Sequence, residues 1–332
     1  MTSSARFDVL GIGNAIVDVI APAEDDFLVA HALHKGGMTL IDHETSARLY
    51  GAMGPATIVS GGSAANTMVG IASLGGRAAF IGKVRDDEPG RAFHHDIQAA
   101  GVAFPTAAAT AGAATARCLV QVTPDGERTM STFLGACVEL GPKDIDESFV
   151  EAARIVYLEG YLWDPPDAKT AFRKAADIAH RSGARIALTL SDSFCVDRYR
   201  GEFLDLLRTG MVDILFSNAS ELHALYQTAD LDTALGELKR EKVLSFVTCS
   251  SEGCLVVDRS DVQSVPAAPI ERLVDTTGAG DLFAAGALFG VARDFPLARC
   301  AAIGALAAAE VIQHYGARPE CSLADLIAQA GF

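Results

Sequence analysis

Short runs dominated by apolar residues recur along the chain, at Val9 to Ile12, Ile155 to Leu158, Ile186 to Leu190, Val212 to Phe216 and Val243 to Val247. Runs that are apolar on both faces predict buried strands, the condition of a parallel sheet covered by helices. Between them, Ala168 to His180 and Phe203 to Leu207 carry apolar residues at helical spacing. The resulting strand–helix alternation predicts an open, doubly wound, mostly parallel α/β sheet with helices on both faces. The predicted strands end in polar residues, at Glu159-Gly160, Ser191-Asp192, Ser217-Asn218 and Cys249-Ser250. Sheets of this kind bind their ligands outside the carboxyl ends of the strands, so a site is expected along that edge.

One region breaks the alternation. Thr115 to Gln121 and Thr129 to Phe133 flank Thr123-Pro124-Asp125-Gly126, a strong turn sequence, and together predict an antiparallel hairpin that serves as a lid. The expected division is an α/β core of residues 1–13, 46–112 and 134–332 carrying the site at the strand ends, with a small β lid of residues 14–45 and 113–133. There is no repeat, low-complexity tract or Pro/Ser-rich linker, so a boundary between two independent domains is not expected.

Composition narrows the function classes. The 332 residues are 50% apolar, enough to bury the core of one large α/β domain. A net charge of −15 argues against nucleic acid or an anionic membrane as partner, because the summed field repels both. A small anionic ligand is not excluded, but a chain of this charge has to neutralise it locally, with helix dipoles, a bound divalent cation and a few placed arginines. Met1 to Val9 lacks an apolar targeting core, and the seven cysteines are odd in number without a Cys-x-x-Cys pair, which suits a reduced cytoplasmic protein. Ala301 to Ile312 is alanine-rich, short and interrupted by Glu310, so no membrane span is expected. His94-His95 and Cys249/Cys254 have no metal-ligand spacing, and no zinc or redox cofactor is expected.

The most informative chemistry is Asp275-Thr276-Thr277-Gly278-Ala279-Gly280-Asp281, followed by the apolar run Leu282 to Val291. Gly278 and Gly280 permit a tight turn that brings backbone N–H groups to a ligand at a helix N-terminus, where free donors and the positive dipole end stabilise phosphate. Asp281 in the first turn would stand beside that anion, where it can act as general base toward an attacking hydroxyl. The same residues also suit a plain turn with a carboxylate complementing the helix dipole. No Lys completes a Walker A loop, and Gly11-Ile12-Gly13-Asn14-Ala15-Ile16 has Ile16 where a dinucleotide fingerprint needs its third glycine, so NAD-dependent hydride transfer loses its support.

Asp275-Thr-Thr-Gly-Ala-Gly-Asp281-Leu-Phe-Ala-Ala-Gly286 resembles the C-terminal signature of the ribokinase-like (PfkB) carbohydrate and nucleoside kinases. Gly61-Gly62-Ser63-Ala64-Ala65-Asn66 and Asn218-Ala219-Ser220-Glu221 match the family in the same order, and the resemblance spans nearly the whole chain. It implies an α/β core, a small β lid and transfer of the ATP γ-phosphoryl group to a hydroxymethyl oxygen of a sugar or nucleoside. Gly13-Asn14-Ala15-Ile16-Val17-Asp18 and Leu190-Ser191-Asp192-Ser193-Phe194 look most like the adenosine kinase branch, which makes the 5′-hydroxyl of adenosine the expected acceptor. A sugar kinase acting on a pentose or hexose, and a catalytically silent nucleoside- or sugar-binding regulator, are the alternatives.

The residues themselves suggest parts in that chemistry. The carboxylate of Asp18 can accept from two adjacent ribose hydroxyls and, with Asn14, fix the sugar, although an edge-strand residue facing solvent has the same spacing. Gly61 and Gly62 open a strand-to-helix turn close to the ligand, and Asn66 offers the donor and acceptor that sugar hydroxyls need. Asn218 and Glu221, three apart at a helix start, can serve Mg²⁺ largely through its waters, or can simply cap the helix. Thr248 to Gly253 resembles the family loop beside the nucleotide, so Asn218, Thr248, Gly253, Gly278 and Gly280 are expected there. Arg128 at the lid edge resembles an arginine that reaches the transferred phosphate on closure, against the plain alternative of an exposed hairpin arginine. Asp275 and Thr277 match positions that border a monovalent-cation site in many relatives. The lid can close over its own chain's site or pair with another lid, leaving monomer and lid-mediated homodimer both open.

Overall fold

The computed structural model describes residues 6–259 and 261–332, so the first five residues of the expected core segment and of the Met1 to Val9 stretch lie outside it. Among the described residues the strands are β1 (Phe7–Ile12), β2 (Ile16–Pro22), β3 (Met38–Leu40), β4 (Thr57–Gly61), β5 (Ala78–Ile81), β6 (Ala116–Val122), β7 (Arg128–Phe133), β8 (Ala153–Glu159), β9 (Arg185–Thr189), β10 (Ile214–Asn218), β11 (Leu244–Thr248), β12 (Cys254–Asp258) and β13 (Asp261–Val265). They form two sheets. The larger runs β13-β12-β11-β10-β9-β8-β1-β5, parallel from β5 to β11 with an antiparallel β12–β13 edge.

Alternation along each strand sends side chains into two cores. Val156 and Leu158 of β8 pack with the Pro166–Ser182, Ser193–Arg208 and Leu231–Glu241 helices, while Ile155 and Tyr157 pack with the Ser63–Ser73, Ala279–Val291 and Leu297–Val311 helices. Burial of both faces is the reason these strands read as nearly continuous apolar runs. The chain leaves β1 toward β5 on one side and reaches β8 on the other, so the order reverses between β1 and β8 and opens a crevice at their carboxyl ends.

The second sheet runs β3-β7-β6-β2-β4. The expected hairpin is present as β6–β7, pairing Arg117 with Phe133 and Val122 with Arg128. The expected division needs one correction: residues 57–61 were placed with the core, yet β4 pairs antiparallel with β2 in the lid sheet, Asp18 opposite Val59 and Ile16 opposite Gly61. The reason is tertiary. Thr57 to Gly61 is too short and mixed for its pattern to name a sheet, and the partner that claims it lies about 40 residues upstream. One face of this sheet, including Val17, Val19 and Leu119, is covered by Leu49 of the His43–Ala52 helix. The other faces the crevice. No helix among the described residues is long and apolar enough to cross a membrane.

Candidate active site

The crevice is anchored by Glu159, the last residue of β8. Its carboxylate accepts from the backbone N–H of Asn14 (3.3 Å), from Asn14 Nδ2 (2.7 Å) and from the N–H of Ala64 (2.9 Å). One buried side chain thus ties the end of β8 to the β1–β2 crossing and to the start of the Ser63–Ser73 helix. Burial pushes its carboxyl up to about 7, against those hydrogen bonds and with help from the nearby Asp281 charge. Sequence reasoning named Glu159 only as a polar strand end, because its partners stand 145 and 95 residues away.

The Ala279–Val291 helix begins at Gly278, whose φ of +80° is the left-handed conformation that glycine adopts freely. A side chain at Gly280 would meet nothing within 4 Å, so the backbone there stands open to the cleft. Asp281 points back across the crevice, where Oδ1 accepts from Ser63 Oγ (2.6 Å) and Oδ2 from Asn66 Nδ2 (3.0 Å). Burial raises its carboxyl, while those two donors and the Arg318 charge oppose the rise. Gly62 caps the Ser63–Ser73 helix with φ +100°, and a Cβ there would drive into the carbonyl oxygen of Asn14. Asp18 lines the same cleft from the lid. Burial pushes it up to about 6, Arg318 and Arg128 oppose, and Asp281 adds to the rise.

The lid supplies an apolar wall. Register places Asp18, Cys118 and Thr132 in line across β2, β6 and β7, with Met130 and Met38 paired beside them and Leu40 opposite Thr132. Together with Ile16, Leu134 and Phe194 these residues border a cleft of about 700 Å³. Met38, Leu40 and Phe194 are 49%, 57% and 73% exposed, large apolar groups left for a ligand to cover. Ser191, at the far rim, holds φ +73°, an uncommon conformation for a residue with a side chain, and its Oγ accepts from the N–H of Tyr161 (3.1 Å).

On the side of the larger sheet, Asn218, Glu221, Thr248, Thr276 and Thr277 line the cleft with Gly278 and Gly280. Asn218 and Glu221 form a reciprocal cap: Glu221 N–H donates to Asn218 Oδ1 (2.8 Å), while Asn218 N–H and Nδ2 donate to Glu221 Oε2 and Oε1 (3.1 and 2.6 Å). Burial pushes Glu221 up to about 7. Each carboxylate oxygen keeps a second lone pair, which fits a role toward metal-bound water. Among the described residues no group of three or more His, Cys, Asp or Glu is gathered to hold a metal ion directly.

Four expected site residues do not border the cleft. Gly61 lies beneath the Asp18 carboxylate, Ala279 sits within the anion turn, and Gly253 closes the turn after β11, its carbonyl accepting from the Cys249 N–H (2.7 Å). Arg128 is not the exposed hairpin arginine of the plain alternative. It pairs with Asp275, the two side chains only 9% and 6% exposed, and Asp275 also accepts from Thr277 N–H (3.0 Å), Thr277 Oγ1 (2.7 Å) and Gly316 N–H (3.1 Å). The second sheet and the Asp275–Asp281 turn are therefore joined by an ion pair. Asn14, Asp18, Gly62, Asn66, Gly278, Gly280 and Asp281 converge on one crevice. Arg318, at the back of it, was missed because it follows the last long helix in a segment without a recognisable pattern.

Solved structures share this fold over nearly its whole length. The crystal structure of an adenosine kinase from Sinorhizobium meliloti superposes with a TM-score of 0.92 at 54% identity, over 98% of this chain and 100% of that one. A probable sugar kinase protein from Rhizobium etli gives 0.92 at 50% identity, over 98% and 99%. A probable chloroplastic fructokinase-6 of Arabidopsis thaliana is 32% identical over 246 residues, 71% of this chain, which spans only 63% of that protein's length. The model of the pfkB family carbohydrate kinases matches residues 50–324, most of the chain including the Gly62 turn, the Asn218–Glu221 cap and Asp281, and the protein belongs to that family of kinases.

Proposed function

We propose that the chain transfers the γ-phosphoryl group of ATP to the 5′-hydroxyl of adenosine, giving AMP and ADP. The observation that carries this reading is Asp281, placed at a helix N-terminus beside the anion turn, held by Ser63 and Asn66, and sharing one cleft with Asp18 under an apolar lid face. Asp281 takes the hydroxyl proton as general base, and its raised proton affinity moves it toward the operating pH. Asp18, Asn14 and Asn66 hold the ribose, with Gly61 and Gly62 keeping the backbone close. N–H groups of Gly278 and Gly280 donate to the transferred phosphoryl oxygens, with Ala279, whose own N–H donates to the Thr276 carbonyl (3.2 Å), holding the turn between them, and Arg128 adds positive charge from its place beside Asp275. Asn218, Thr248 and the Gly253 turn border the nucleotide. Glu221 and Asn218 hold the waters of Mg²⁺, which when bound neutralises charge on the phosphate oxygens. Asp275 already accepts from Arg128, Thr277 and Gly316, so a monovalent cation there would take backbone oxygens as ligands.

The likeness to an adenosine kinase supports the purine, and the exposed Met38, Leu40 and Phe194 give it a surface. At about 25 cal/mol per Å² of apolar area, covering a purine face supplies several kcal/mol, worth roughly 10²-fold or more in discrimination over free ribose. The likeness to a probable sugar kinase and a fructokinase supports the second reading, a pentose or hexose as acceptor. Steady-state kcat/KM for adenosine, ribose and fructose separates the two. Adenosine should lead by about 10²-fold or more, and equal or better turnover of a free sugar would overturn the nucleoside reading while leaving the kinase in place.

A further inference from the structure

Behind the anion turn runs the segment Tyr315-Gly316-Ala317-Arg318, which touches that turn, the β6–β7 turn and the end of β4. Gly316 N–H donates to Asp275, the partner of Arg128. Ala317 packs under Gly278, its Cα 2.7 Å from where a Cβ would stand. The Tyr315 hydroxyl lies against Gly126 in the β6–β7 turn of the lid, 3.2 Å from the corresponding position. Arg318 Nη2 then donates to both the carbonyl oxygen and Oγ of Ser60 (2.8 Å each), while Asp96 accepts from Ser60 N–H (2.8 Å) and from its hydroxyl.

Ser60 is the residue before Gly61-Gly62. On one side of it β4 pairs with β2, which carries Asp18. On the other the chain enters the helix whose Ser63 and Asn66 hold Asp281. A second guanidinium nitrogen, Arg318 Nε, is shut off from solvent without a hydrogen-bond partner. Burying a cation this incompletely paired is costly, and a tether for β4 alone would not require it. We propose that Arg318 is a positioning residue for phosphoryl transfer: its guanidinium grips the end of β4 and so fixes where the acceptor-binding Asp18 and the base Asp281 stand relative to one another.

This inference rests on the reading of the cleft as a phosphotransfer site. It has an electrostatic consequence that a mere tether lacks. The charges acting on Asp18 are Arg318 and Arg128, which favour its carboxylate, and Asp281, which does not. Asp281 receives hydrogen bonds from Ser63 and Asn66 and the favourable charge of Arg318, with Glu159, Tyr157 and Tyr161 as its other titratable neighbours and Cys118 beside Asp18. Asp96 is the further carboxylate acting on Arg318 itself. Removing Arg318 takes the same stabilising charge from both carboxylates.

The test compares wild type, Arg318→Met and Arg318→Lys across pH with adenosine and ATP varied in turn. The Met variant should raise the acceptor KM by about tenfold or more, leave the ATP KM within about twofold, and move the acid limb of kcat/KM up by about one pH unit. The Lys variant should restore the acid limb while recovering only part of the acceptor KM. A folded Met variant with wild-type acceptor KM and acid limb would overturn the inference, as would equal losses for both substrates in both variants accompanied by a fall in Tm. If Arg318→Met does not fold, Ser60→Ala decides: a raised acceptor KM with unchanged ATP KM supports the positioning role, and wild-type values refute it. Wild-type protein inactive toward every nucleoside and sugar would instead overturn the functional reading, and the inference with it.

Discussion

Replacing Glu159 by Gln tests the anchor of the site, because the change keeps the shape and removes the charge. In the wild type, burial has raised this carboxyl from its ordinary 4.5 to about 7. At about 1.4 kcal/mol per unit, the shift is worth about 3 kcal/mol. The sign follows from linkage. A carboxyl whose folded pKa is raised binds its proton more tightly in the native state, so its contribution is fully present below about 4.5 and is lost as pH rises through about 7. Gln has no proton to lose. Its amide NH2 cannot accept where the hydroxyl oxygen of the protonated carboxyl still can, leaving Asn14 N–H or Ala64 N–H short of a partner at a cost of about 1–3 kcal/mol. Glu159→Gln should therefore be the less stable protein near pH 5 and should draw level with, or pass, the wild type near pH 8. Urea midpoints of both proteins at half-unit steps between pH 5 and 8.5 give the difference curve, which should change by about 2.5 kcal/mol in that direction, the rest of the shift falling below pH 5. A difference that stays flat, or that grows with pH, would refute the account of Glu159 as a buried carboxyl that charges at a cost.

Asp281→Asn should fold and bind nucleotide normally while turnover falls by about 10²–10⁴-fold, measured in a coupled ADP-release assay; near-normal turnover would remove Asp281 from the chemistry. Glu221→Gln should raise the Mg²⁺ concentration for half-maximal rate, and an unchanged Mg²⁺ titration would leave Glu221 as a helix cap alone. With Asp18 held near 6 and Asp281 raised, kcat/KM for the acceptor should fall as pH drops through about 6, and a profile flat down to pH 5 would contradict the need for both carboxylates. Gly62→Ala should lower Tm steeply, since the new Cβ meets the Asn14 carbonyl at a backbone angle alanine rarely adopts; an unaltered melt would show that the crossing can relax.

The sequence by itself determined the α/β architecture, since residues buried on both faces of a parallel strand must be apolar whatever their neighbours are. It also determined the turn at Asp275 to Asp281 and the Gly61-Gly62 opening, because positive φ at Gly278 and Gly62 and the close approach of the Asn14 carbonyl demand glycine locally. Tertiary structure decided which groups act on one another. β4 joined the lid because β2 offered it an edge, a choice invisible in five mixed residues. Arg128 became a buried partner of Asp275 although the two lie 147 positions apart. Glu159 and Arg318 acquired their importance only where β1, β8, β4 and the segment behind the anion turn meet. Charges cost most and matter most where water is excluded, and where water is excluded is settled by packing between distant segments rather than by the pattern within any one of them.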